Sequence, residues 1–130
     1  MSKALVIDDD VIVRNVIRRI LEGDNIQVTE ADNGNDAFRM LTVDFKNAPP
    51  DVIIMDVVMP GMDGYTLQGK IEENPVLRKI PLIVMTGRSQ MKDLFGASSN
   101  VFSVVEKPFK MQDILFTVRK ALKSRNNQKE

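Results

Sequence analysis

The sequence contains neither cysteine nor histidine. Without cysteine there is no disulfide framework and no thiol chemistry, and without either residue the soft and imidazole ligands preferred by zinc and copper are missing. Oxygen ligands then favour a hard metal ion over zinc or copper. Long apolar runs are also absent: none approaches the roughly 20 residues that span a bilayer, and the opening Met1-Ser2-Lys3-Ala4 lacks the apolar core of a signal peptide. Nor is there an excess of either charge. Lys and Arg number 18, as do Asp and Glu, so no global field draws the chain to nucleic acid or an anionic membrane. These absences point to a cytoplasmic protein with neither DNA nor membrane as a partner.

What is present is a run of alternating apolar and amphipathic segments. At 130 residues, 43% of them hydrophobic, the chain can bury roughly two thirds of its unfolded surface but has no room for a second domain. Five strand-like runs, Lys3–Asp8, Ile26–Glu30, Asp51–Asp56, Ile80–Met85 and Val101–Val105, alternate with helical ones. That is the pattern of βα units wound around a parallel sheet. Three of the runs are almost wholly apolar, as strands covered on both faces must be. The second alternates apolar with polar residues and suits an edge.

The first helix reads from the stripe Val13, Val16, Ile17 and Ile20 and stops at Gly23. The last reads from Met111, Ile114, Leu115, Val118 and Leu122, with Arg119, Lys120 and Lys123 toward its C-terminus, where cations favour the helix dipole. Ala37, Phe38, Met40 and Leu41 mark the helix after Gly34. Leu67 and Ile71 mark the one after Gly64, which Gly69 weakens. A fourth segment, Ser89 to Phe95, supplies barely two turns before Gly96 and is expected to be short or mobile. Beyond Lys123 no apolar residue remains, so the folded domain is set at residues 1–123, with 124–130 a frayed polar tail.

The chemistry gathers at one edge of this sheet. Asp8-Asp9-Asp10 closes the first strand and Asp56 the third, and open α/β sheets bind ligands outside the C-terminal ends of their strands. At about 4 Å separation and an effective dielectric near 20, each carboxylate pair repels by roughly 4 kcal/mol. Such a cluster calls for a cation, and an all-oxygen ligand set favours Mg²⁺ or Mn²⁺. The plainer reading is that these acids are solvated or cap helices. Two further strand ends add weight: the fourth strand leads into Thr86 and the fifth into Lys107-Pro108. Alone, either residue is an ordinary loop residue. Four strand ends delivering acids, a hydroxyl and an ammonium to one place are not ordinary.

Leu5-Val6-Ile7-Asp8-Asp9-Asp10 with Arg14, Asp56-Val57-Val58-Met59-Pro60-Gly61-Met62-Asp63-Gly64, Met85-Thr86 and Lys107-Pro108-Phe109 resemble, in order and spacing, the receiver domain of two-component response regulators, in its single-domain, chemotaxis-regulator-like form. The resemblance spans nearly the whole chain. It implies a flavodoxin-like, doubly wound five-stranded parallel sheet of order 2-1-3-4-5 with five helices. It also implies that Asp56 is the phosphoacceptor, becoming a 4-aspartylphosphate. Asp9 and Asp56 would then ligate Mg²⁺ directly, Asp8 would act through metal-bound water, and the backbone carbonyl of Val58 would supply a further ligand. Asp10 receives no role. Lys107, with a cis peptide to Pro108, would supply countercharge, and Thr86 would bind the phosphoryl group and switch the surface. The implied partners are a sensor histidine kinase or a histidine phosphotransfer protein as donor, and a downstream protein the sequence does not name. The chain would catalyse its own phosphorylation and dephosphorylation rather than act as a conventional enzyme.

The sequence also departs from that pattern. Val104 stands where the family has an aromatic switch residue, with Phe102, two residues earlier on the same strand face, the nearest substitute. Asn100-Val101 replaces the family's Gly-Ala pair. In the family the residues two past the phosphoacceptor and two past the threonine flank the water path; here they are Val58 and Arg88, which the resemblance implies would tune phosphoryl lifetime. Asp63-Gly64 reads as a helix cap and turn, and Met55, Met59 and Met62 as packing residues. Two enzyme or cofactor readings fail. A haloacid-dehalogenase-type phosphatase needs a second acid where Val58 stands, and a flavin-binding protein needs a phosphate loop where three acids stand. A phosphorylation-independent interaction module remains the alternative. The Met1 start and polar ending favour a stand-alone protein, monomeric or weakly dimeric.

Overall fold

The computed structural model describes residues 1–59, 61–87 and 100–129. Strands β1 (Lys3–Ile7), β2 (Gln27–Ala31), β3 (Val52–Asp56), β4 (Leu82–Thr86) and β5 (Val101–Glu106) form one parallel sheet in the order β2-β1-β3-β4-β5, as expected. Four helices are described: α1 (Val11–Glu22), α2 (Gly34–Arg39), α3 (Gly64–Glu73) and α4 (Met111–Lys129). α2 runs on into a π-helical turn, Met40–Asp44, and a 3₁₀ turn, Leu77–Lys79, precedes β4. The short helix expected over 89–95 lies outside the described residues. No described helix is long and apolar enough to cross a membrane.

The period of two along the strands builds both cores. Leu5, Ile7, Ile53, Met55, Leu82 and Val84 face Ala37, Leu41, Leu67 and Ile71 of α2, its π turn and α3. The intervening Ala4, Val6, Val52, Ile54, Ile83 and Met85 face Ile17, Leu21, Ile114 and Val118 of α1 and α4. This double burial is why β1, β3 and β4 read as continuous apolar runs. The polar face of β2 likewise fits its place: it pairs with β1 alone. Two residues of the expected helix stripes are not core. Val16 is 38% and Met111 62% exposed, and Leu21 and Ala121 are buried instead.

Three expectations are corrected. β4 starts at Leu82 rather than Ile80, because Ile80 closes the preceding 3₁₀ turn, its N–H donating to the Leu77 carbonyl at 3.0 Å, and Pro81 has no N–H to give. α4 does not stop at Lys123; its backbone stays helical to Lys129. A polar contact anchors it there: Arg125 lies 3.5 Å from Asp51 and donates to the Lys79 carbonyl at 3.2 Å. Apolar periodicity could not reveal that anchor. The third correction concerns Phe102. Leu82 pairs with Val101 but Ile83 pairs with Ser103, so Phe102 is the extra residue of a bulge. Val101 and Val104, three apart, therefore pack on the same core, and Phe102 no longer alternates in step with Val104. It lines a cleft with Arg78 and Arg125 at the start of β4, about 13 Å along that strand from Thr86 at roughly 3.3 Å per residue. It cannot stand in for an aromatic switch beside Thr86.

Gly69 lies within α3, and an added Cβ there would meet nothing within 4 Å. Gly69→Ala is expected to raise stability by about 0.5–1 kcal/mol, seen as a higher urea midpoint at an unchanged slope.

Candidate functional site

The acids meet where the strands end. Asp8 follows β1 directly and is fully buried. Its Oδ1 accepts the Asp10 N–H at 2.9 Å and its Oδ2 accepts from Lys107 Nζ at 3.1 Å. Asp56, the last residue of β3, presents Oδ2 to the same ammonium at 3.4 Å. Asp8, Asp9 and Asp56 each offer a carboxylate oxygen, all within 4.8 Å of one another. Asp10 does something else: it caps α1, accepting the Ile12 N–H at 2.9 Å.

Three carboxylates against one ammonium leave two negative charges uncompensated. Burial and the neighbouring charges both act on Asp8 and Lys107. Burial pushes the Asp8 carboxyl upward and repulsion from Asp56 adds to it, while the Asp10 amide and Lys107 only partly oppose the shift. For Lys107, burial works against the charge, but the attraction of Asp56 and the contact with Asp8 outweigh it and hold the ammonium above its usual range.

Behind the acids, α1 braces the end of β1. Arg14 donates through NH1 to the Asp8 carbonyl at 2.6 Å and through Nε to Glu30 at 2.9 Å, and Arg18 donates to the other Glu30 oxygen at 2.7 Å. Burial alone would raise the Glu30 carboxyl, but hydrogen bonds from Arg18 and Arg14 hold it below the usual range. The receiver-like motif that contains Arg14 does not by itself assign it this brace. Its signal was legible: two arginines four apart, hence on one helix face, opposite an acid on the neighbouring edge strand.

The loop after β3 is fitted just as closely. Asp63 caps α3, accepting the Thr66 N–H at 2.7 Å, as the sequence reading held. Gly64 is needed for a further reason. Its N–H donates to the Val57 carbonyl at 2.7 Å, and a Cβ there would sit 2.6 Å from the Asp56 carbonyl oxygen and 2.7 Å from Val57 Cα. Met59 and Val57 pack into the α2–α3 core while Val58 is 63% exposed. On the far side, Thr86 is buried at the end of β4, and its carbonyl accepts the Lys107 N–H at 2.8 Å. The Lys107–Pro108 peptide is cis. Val104 is partly buried against the α2–α3 core. Arg88 lies outside the described residues.

The model of the response regulator receiver domain matches residues 4–119. The chain belongs to the receiver domain family of response regulators. Protein PilH of Pseudomonas aeruginosa is 28% identical over 123 residues, which cover 94% of this chain and 98% of PilH. The sensor histidine kinase CheAY of Helicobacter pylori is 32% identical across 95% of the chain, and the DNA-binding transcriptional regulator NtrC of Salmonella typhimurium 32% identical across 96%. The chain spans only 15% and 26% of the lengths of those two proteins. Among solved structures, the chemotaxis response regulator CheY4 of Vibrio cholerae superposes with a TM-score of 0.81 at 26% identity, over 94% of this chain and 99% of that one. A putative response regulator from Chloroflexus aurantiacus gives 0.82 at 30% identity, over 93% and 97%. This receiver domain is therefore a component of two-component signalling.

The Glu30 brace makes a pH-dependent contribution. Because its folded pKa is lowered, the stability it supplies is present above its ordinary value of 4.5 and is lost as pH falls through the folded value. Glu30→Gln is expected to lose on the order of 1 kcal/mol at pH 7, allowing for its partial exposure. In urea unfolding at a series of pH values, the gap to the wild type should close as pH drops below 4.5.

Proposed function

We propose that this receiver domain accepts a phosphoryl group from a phosphohistidine onto Asp56 and thereby switches its surface for a protein partner. The observation that carries this reading is the single ammonium of Lys107 held between Asp8 and Asp56 within a three-carboxylate cluster. The cluster fits a hard divalent cation: its donors are all oxygen, and its uncompensated charge is that of one Mg²⁺ or Mn²⁺. Asp9, Asp56 and the Val58 carbonyl would hold the ion directly, and Asp8 through water. When bound, the ion neutralises charge on the phosphoryl oxygens.

The remaining steps belong to the chain. A carboxylate oxygen of Asp56 attacks phosphorus; the new O–P bond forms as the P–N bond breaks, and the electron pair returns to the imidazole nitrogen of the donor. Lys107 is within reach of an oxygen on a group carried by Asp56 and supplies countercharge as the group arrives. Thr86, at the adjacent strand end, offers its hydroxyl to another oxygen and draws the segment after β4 inward. Water attack on the acyl phosphate restores the carboxylate. Val58, exposed and apolar, cannot position that water, and the family pattern gives it and Arg88 the tuning of the phosphoryl lifetime.

With Val104 in place of an aromatic residue and Phe102 at the far end of the strand, the switch runs through Thr86 and the backbone beyond it. The donor is a sensor histidine kinase or a histidine phosphotransfer protein, a reading supported by the family and by likeness to a sensor histidine kinase and to response regulators.

Incubation with Mg²⁺ and a small acyl phosphate donor, followed by intact mass measurement, tests this. The wild type is expected to gain one labile phosphoryl group, while Asp56→Asn and a chelated sample gain none. Lys107→Ala is expected to slow the reaction by at least tenfold. A wild type that takes up neither a phosphoryl group nor its beryllofluoride mimic would instead favour a module that signals by binding alone.

A further inference from the structure

The pole of the sheet opposite the aspartates carries a cleft of about 280 Å³ between the turn before β4, the start of β5 and the last turns of α4. Arg78, Lys79, Asn100, Ser124 and Arg125 supply its donors, Phe102 contributes an aromatic ring, and none of the described residues lining it is acidic.

Two of those donors lack an acceptor: Asn100 Nδ2 and Arg125 Nε are buried and make no hydrogen bond. Folded proteins seldom leave such groups unpaired. The Asn100 amide, only 4% exposed, is oriented by its neighbours. Gln68 Nε2 donates to the Glu72 carboxylate at 3.0 Å and to Asn100 Oδ1 at 2.8 Å. An ionised Glu72 can only accept, so turning either amide would set oxygen against oxygen or donor against donor. The free Nδ2 of Asn100 is thus turned away from Gln68.

Arg125 is fixed as well. Its Nε lies 3.5 Å from an Asp51 oxygen, near enough for charge pairing yet without a hydrogen bond, and its NH1 donates to the Lys79 carbonyl at 3.2 Å. Arg78 and Lys79 have exposed side chains with no ion-pair partner among the described residues. Three cations, Arg78, Lys79 and Arg125, thus line the cleft, and of these Arg125 is paired with an acid, Asp51.

We propose that this cleft binds the phosphate of a small phosphate ester. Its donors come from three places in the fold, the turn before β4, the start of β5 and α4. A tetrahedral dianion can offer acceptors to several elements at once, whereas a planar carboxylate presents two oxygens in one plane. Phe102, 37% exposed, offers the body of the ester a flat apolar surface. The volume falls just below the usual range of small-molecule sites, which suits a monophosphate rather than a dinucleotide. The bulge that removes Phe102 from the switch is what places it here. The site lies at the opposite end of the sheet from Asp56, so the proposal does not depend on phosphorylation of that residue.

The test uses ¹⁵N-labelled Asp56→Asn protein in chelator, which silences the aspartate pocket. It is titrated at constant ionic strength with inorganic phosphate, AMP, citrate and chloride. Phosphate and AMP are expected to shift the Asn100 side-chain amide and the Arg125 Nε–H saturably, with AMP at least threefold tighter. The double substitution Arg78→Gln/Lys79→Gln, confined to exposed side chains, is expected to weaken both at least fivefold while leaving the remaining spectrum intact. Shifts that fail to saturate, that chloride reproduces, or that the double substitution leaves unchanged would overturn the site. Citrate binding tighter than both phosphates would overturn the phosphate assignment.

Discussion

The structure turns on one ammonium shared by two buried carboxylates. Lys107 stands 3.1 Å from Asp8 and 3.4 Å from Asp56, and it reaches them from a strand two places across the sheet from β3. Neither acid would be stable so deeply placed without it: isolated buried charges are expensive, and two of like sign more so. Even so the balance is incomplete. Asp9 adds a third negative charge, and the Asp8 carboxyl is pushed upward, chiefly by its burial and further by repulsion from Asp56. Under the proposed function, a pocket left short of positive charge would take a cation and, with one in place, an anionic substrate, so that binding and reactivity would rest on the same deficit.

The fold's other features hold that geometry. β1, β3 and β4 are buried on both faces, which makes their C-terminal ends rigid platforms. Gly64 lets the loop after β3 press against the Asp56 backbone, where any side chain would collide. Arg14, anchored by Glu30, grips the Asp8 carbonyl from behind. The Thr86 carbonyl takes the Lys107 N–H, so the hydroxyl and the ammonium are set by one backbone contact.

Much of this was legible in the sequence because it followed from periodicity and strand ends. The apolar runs gave the strands, the alternating second run gave the edge, and the acids at two strand ends gave the pocket. Other features depended on relationships that local pattern does not carry. The bulge at Phe102 is a matter of register between β4 and β5, whereas strict alternation would put that ring on the same strand face as Val104. The helical reach of α4 beyond Lys123 rests on Arg125 and partners 46 or more residues away. The need for Gly64 came from close approach, which a cap-and-turn reading does not require. Asn100, seen only as a departure from a family pattern, is a buried amide tied to Gln68.

The two ends of the sheet are thus built on opposite charge logic. One gathers acids short of a cation; the other gathers donors short of an acceptor. The claim at the centre is that the uncompensated charge at the first end weakens the fold until a divalent ion relieves it. It is tested most directly by unfolding the wild type and Asp9→Asn/Asp56→Asn in parallel, at constant ionic strength, across a Mg²⁺ titration. The account predicts that the wild type gains stability with the logarithm of Mg²⁺ concentration once the site saturates. It also predicts that the double variant, with its excess charge removed, gains little. Unfolding of the wild type that is indifferent to Mg²⁺, or an equal gain in both proteins, would contradict it.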